Sequence, residues 1–219
     1  MPFYNQLLEA TVNEREQFLN IPILQRALRG DITLDQYRTF LSQAYHHVRH
    51  TVPLLMACGS RLPESYLWLL KAVGEYIEEE MGHEEWILDD IATCNGDPAA
   101  VRDAAPLPAT ELMVAYAYDV IRRRHPIGFF GMVLVLEGTS VALASQAAAV
   151  IQTQLALPKQ AFRYLNSHGS LDQDHIRFFE DLMNRISDPD DQQTVIHCAK
   201  MFYLLYGNIF SAIADQTQK

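Results

Sequence analysis

The chain has 219 residues, 49% hydrophobic and 20% charged, with a formal net charge of −10 at pH 7. That length suits one domain, residues 1–219, with ample core. The acidic balance argues against nucleic acid or an anionic membrane surface as a partner, but not against a small anionic substrate, because a pocket's local field can differ from the net charge. Cys58, Cys94 and Cys198 are scattered with no CxxC pair, which reads as a reduced, cytoplasmic protein. The acidic, amphipathic N-terminus does not read as a signal peptide.

Apolar residues recur at helical spacing along the whole chain, with few alternating stretches, so an all-α fold is expected. Phe3–Leu19 carries Leu7, Leu8, Val12 and Phe18 on one side. Pro22 opens a short helix after a break, and Gly30-Asp31 is a turn. Thr33 with Gln36 three residues on forms a capping box. The helix it starts runs to about Leu62, kinked at Pro53. Pro63 opens the next, closed after Cys94 by Asn95-Gly96. Asp97–Pro108 reads as a loop. A helix from Ala109 ends in Arg122-Arg123-Arg124, basic residues that suit a helix C-terminus. Pro126–Ile151 is almost wholly apolar, and its composition reads as the central core helix better than as a membrane span. Pro158–Ile186 and a last helix to about Ala214 complete a bundle of about seven helices with no internal repeat.

Glu137 is the single charged residue in that apolar stretch. A carboxylate buried alone costs several kcal/mol, so Glu137 needs a cationic partner, a proton or a metal. Two further segments supply donor groups. Glu80 and His83, three apart, are expected on one face of one helix. His168, Asp172 and His175 stand at i, i+4 and i+7, on one stripe of another. Composition alone gives about one acid-x-x-His pair by chance, so the weight lies in the combination: two such pairs, an added His and a stranded Glu. Carboxylates bridge cations and neutral imidazoles bind iron. Two ferrous ions against three carboxylates leave about one positive charge, which favours a reduced oxygen species or a substrate carboxylate. Glu79 competes with Glu80 for the ligand role, and His83 could instead be a surface ion pair. For His46, His47 and His50 a structural or surface role is expected over a pocket role. Tyr76 lies one turn before Glu80 and reads as either a core tyrosine or a residue beside the metal.

With these residues in view, the chain resembles the heme-oxygenase-like di-metal oxidases, a branch of the group that includes heme oxygenase, thiaminase II (TenA) and pyrroloquinoline-quinone synthase. The likeness rests on the ordered motif Glu-x-x-His, Glu, His-x-x-x-Asp-x-x-His, here EMGH at 80–83, Glu137, and HGSLDQDH at 168–175. It implies Glu80, His83, Glu137, His168, Asp172 and His175 as ligands of two iron ions, with Glu137 bridging. It also implies O2 activation for oxidative C–C cleavage, desaturation or N-oxygenation of a small organic acid or amine. Some members carry a carboxylate seven residues before the His, where this chain has Tyr76. In that respect it looks more like the alkene-forming fatty-acid decarboxylases. A metal-free TenA-like hydrolase or cofactorless oxidase stays open, as does a non-catalytic helical protein. The sequence leaves the substrate and the oligomeric state open, a homodimer included.

Overall fold

The computed structural model describes residues 1–216, with residues 168–175 described by their backbone alone. The described residues are helical throughout, without strands. The α-helices are α1 (Phe3–Ala10), α2 (Val12–Leu19), α3 (Pro22–Ala27), α4 (Leu34–Val48), α5 (Thr51–Gly59), α6 (Leu69–Glu80), α7 (His83–Thr93), α8 (Pro98–Asp103), α9 (Pro108–Arg123), α10 (Phe130–Leu155), α11 (Arg163–Asn184) and α12 (Pro189–Gln216).

The expected count of about seven is therefore too low, because several long apolar runs are interrupted. The run from Phe3 to Leu19 breaks at Thr11, whose hydroxyl donates to the Leu7 carbonyl at 2.8 Å. The capping box at Thr33 is present in both directions. Pro53 does break the helix that follows, but the gap appears at Arg49–His50. Proline has no N–H for the carbonyl four residues back and its ring crowds that carbonyl, so the discontinuity falls upstream of the proline itself. The expected loop at 97–108 holds α8, whose first turn is capped by Asp97 accepting from Ala99 and Ala100.

The α10 helix is the spine. With the turn before it, it is the one segment among the described residues long and apolar enough to cross a membrane, yet 56% of its most apolar window is buried inside the fold. It packs along α11 and α12. At Gly131 the approach is close: a methyl group there would come within 2.5 Å of the Ala199 backbone nitrogen on α12. One core cluster gathers α1, α5, α6, α9, α10 and α12 around residues such as Leu54, Met113, Phe130 and Phe202. A second gathers α4, α7 and the far end of α10 around Tyr37, Leu41, Ile87 and Phe162.

The α11 helix is held from outside its own sequence. Asp90 of α7, 0% exposed, accepts hydrogen bonds from the backbone N–H groups of Arg163 (3.0 Å) and Tyr164 (2.9 Å). Two donors in the first turn of α11 are thereby satisfied by a neighbouring helix. Burial pushes the Asp90 carboxyl up to about 6, against the opposing pull of those two N–H groups.

Candidate metal centre

The acid and the imidazole of the EMGH segment do meet, but not by sharing a helix. The α6 helix ends at Glu80, Met81 is extended, and Gly82 is left-handed with φ of +89° before α7 begins at His83. Only glycine adopts that conformation without strain. The sharp turn folds His83 back so that its Nδ1 lies 3.1 Å from Glu80 Oε2. The His83 side chain is 3% exposed and that of Glu80 13%. With a carboxylate as its partner, Nδ1 is the donor in this contact, which orients the ring. The indole of Trp86 stacks on the same ring, with centroids 4.0 Å apart. Glu79 is exposed, so of the two candidate acids it is Glu80 that faces inward.

A cavity of about 170 Å³ opens between α4 and α10, and its wall joins Glu80 to Glu137. Tyr76, 2% exposed, and His47, 3% exposed, border it as well. Away from these groups the wall is apolar, with Leu24, Phe40, Met132, Leu143, Ile151 and Phe210 among the lining residues. Of the apolar residues near Glu137, Phe129, Met132 and Val133 face this space, while Phe130 belongs to the core.

The remaining candidates, and Arg49 beside them, divide as follows. His47 lines the cavity, against the expectation of a structural or surface role. The lone signal for it in the sequence is its membership of a histidine cluster. His46 and His50 do not line it, and burial together with the nearby Arg49 guanidinium lowers both from the ordinary imidazole value. Arg49 is exposed, its guanidinium 5.4 Å from the Tyr45 ring centroid. Arg122, Arg123 and Arg124 form an exposed helix end, and Asp119 pairs with Arg123 at 3.1 Å and Arg124 at 3.6 Å. The side chains of His168, Asp172 and His175 lie outside the described residues. Their helix, α11, runs alongside α10 and also packs against α7.

Among the described residues no cluster of three His, Cys, Asp or Glu side chains is arranged to hold a metal. The half of the expected donor set that is described nonetheless fits iron in kind. It offers two carboxylates that line one cavity, Glu80 and Glu137, and the His83 imidazole in contact with Glu80, on three separate helices, and such oxygen and nitrogen donors suit non-heme iron.

The profile of a family described as iron-containing redox enzymes matches residues 38–207. The chain belongs to that iron-containing redox enzyme family. No curated protein matches it. Among solved structures, a domain of unknown function with a heme oxygenase-like fold from Shewanella denitrificans is 22% identical with a TM-score of 0.87, covering 100% of this chain and 94% of that one. A TenA homologue from Pseudomonas syringae is 10% identical, with a TM-score of 0.81 and coverage of 97% and 93%. A heme oxygenase from Synechocystis in complex with heme is 13% identical, with a TM-score of 0.78 and coverage of 99% and 94%. The all-α, heme oxygenase-like fold expected from the motif is thus the fold of this family member.

Proposed function

We propose that the protein is an O2-activating non-heme di-iron oxidase or oxygenase acting on a small organic acid or amine. The observation that carries this reading is the convergence of Glu80, with His83 in contact behind it, and Glu137, from three helices, on one largely apolar cavity. Glu80, His83 and Glu137 would hold iron together with His168, Asp172 and His175 of α11. Bound ferrous iron supplies electrons and a coordination position for O2.

The chain's own groups do the rest. Glu80 holds the His83 ring by its Nδ1 and fixes its orientation. Glu137 brings a second carboxylate to the same cavity. Tyr76 and His47 place a phenol and an imidazole at the same cavity, where each can hold or pass a proton to a bound substrate. The apolar walls keep water away from the reacting groups and receive the substrate's carbon body. The three cysteines are free and buried, which suits a reducing, cytoplasmic setting. Tyr76 in place of a carboxylate supports the decarboxylase-like branch of the family.

Purification with added Fe(II), followed by iron analysis and a spectrum after O2 exposure, tests the proposal. Bound iron with a transient visible band is expected; neither appearing sinks it. A second reading has its own support: Glu80 and His83 in direct contact at 3.1 Å already form an acid–base pair. Such a pair suits a metal-free TenA-like hydrolase or a cofactorless oxidase. Turnover that survives exhaustive chelation would put that reading first.

A further inference from the structure

The His83 ring is held at two places that constrain it differently. At its edge, Nδ1 meets Glu80 Oε2 at 3.1 Å. On its face, the indole of Trp86 stacks with centroids 4.0 Å apart and planes 30° apart. His83 and Trp86 stand at i and i+3 in the first turn of α7, a spacing that puts both side chains on one side of the helix. Trp86 is half-buried, and its indole meets a second group: the Arg163 guanidinium, 4.7 Å from the ring centroid. Arg163 opens α11. Its guanidinium also pairs with Asp89 of α7 at 3.4 Å, and its backbone N–H donates to Asp90 at 3.0 Å. The chemistry proposed above uses neither Trp86 nor Arg163.

An edge contact and a face contact remove different motions. The histidine χ2 torsion is broad and roughly two-fold, so the rotamer alone leaves the ring plane loosely set. A hydrogen bond at Nδ1 fixes where that nitrogen points, yet the ring can still rock about the line of the bond. Rocking swings the other ring nitrogen aside, and a metal ligand has to present its nitrogen in one direction. A flat surface stacked on the ring stops the rocking. Stacking of flat rings is favourable on its own account, and a guanidinium over the indole holds the indole in turn. The contacts run from His83 through Trp86 to Arg163, and so end on the helix whose sequence carries His168, Asp172 and His175.

We propose that Trp86 is a positioning residue: its indole sets the plane of the His83 ring and, through Arg163, ties that ring to the first turn of α11. The start of α11 and the imidazole of α7 are thus linked before any ion arrives. The consequence for metal rests on the di-iron reading; the immobility of the ring is a property of the metal-free chain. Tryptophan suits this place because it combines a large flat face with the best attraction of any side chain for a guanidinium. An aliphatic side chain there would cover the imidazole without fixing its plane.

The test compares Trp86→Phe, which keeps a flat face, with Trp86→Leu, which does not, each checked as folded by circular dichroism. In metal-free protein labelled at its histidine rings, the His83 magnetic-resonance signals are assigned by their loss in His83→Gln. They should lie upfield of free histidine in wild type, stay upfield in Trp86→Phe, and move downfield and broaden in Trp86→Leu. Co(II), titrated in place of Fe(II), should bind about tenfold more weakly to Trp86→Leu and within about twofold of wild type to Trp86→Phe. Arg163→Gln leaves α7 intact and should shift both readouts in the direction of Trp86→Leu by a smaller amount. If Trp86→Leu fails to fold, Arg163→Gln carries the test. Unmoved His83 signals in Trp86→Leu overturn the proposal, as does unchanged Co(II) affinity in that variant. So does a Phe variant that loses as much affinity as the Leu variant, because bulk and not a flat face would then be what matters. Wild-type readouts in Arg163→Gln overturn the tie to α11. If wild type binds neither Co(II) nor Fe(II), the di-iron reading falls, and the His83 signals of the metal-free variants still decide whether Trp86 holds the ring.

Discussion

Asp90 and Glu80 are acids withdrawn from water at either end of the same stretch of chain, yet they end in opposite situations. Asp90 is closed off: both of its oxygens accept from backbone N–H groups that do not titrate, on a helix start that needs them. Glu80 accepts from the imidazole side chain of His83, at the edge of a void that it shares with Glu137. A buried acid bound to backbone serves the architecture, whereas one bound to a donor side chain beside open space is placed for chemistry. Burial and charge alone do not separate the two; their partners do.

The contrast can be broken most forcefully at Asp90. Asp90→Ala leaves two N–H groups of α11 unsatisfied in the interior and should cost about 3 kcal/mol of unfolding free energy, read by urea titration. A loss below about 1 kcal/mol would mean that water or repacking replaces the carboxylate. The same residue predicts a pH dependence of defined sign. Its carboxyl titrates near 6 in the folded protein against 3.8 when unfolded. Between those values the folded state holds the extra proton, so the contribution of Asp90 to stability falls as pH rises from about 4 to about 6. The full change is about 3 kcal/mol. Asp90→Asn should flatten that part of the stability curve.

At the other pole, Glu80→Gln keeps the side chain's shape and removes its charge. Iron affinity should drop at least tenfold, because the change removes the charge of a proposed ligand that also orients His83, while the unfolding free energy moves by less than about 1 kcal/mol. A large loss of stability with iron binding intact would put Glu80 in the same class as Asp90. The smallest effect is expected at Gly82. Gly82→Ala forces a side chain into the left-handed region, at a cost of about 1 kcal/mol, visible as a lower melting temperature.

Much of this was readable in the amino acids, for reasons that differ from place to place. The all-helical fold follows from apolar spacing, and the Thr33 box and Pro53 break follow from local chemistry that acts within four residues. Glu137 declared itself because a charge in an apolar run has few explanations. The pairing of Glu80 with His83 was legible, but its geometry was not. Helical spacing put them on one face, whereas a left-handed glycine between them brings them together by a turn. Asp90 carried no usable signal, and His47 only its place in a histidine cluster. Each acquires its meaning from an element distant in the chain: the start of α11 for Asp90 and the cavity under α10 for His47. Contacts of that range leave no periodicity in a single sequence.

The left-handed joint at Gly82 has one more consequence. The donors on its two sides belong to separate rods, so the angle between α6 and α7 is set by a swivel and not by a continuous hydrogen-bond ladder. An ion gripping both sides would act as a rivet across that swivel. Occupancy should then be audible as stiffness, with slower amide exchange at residues 81–85 once iron is added, long before any product is measured.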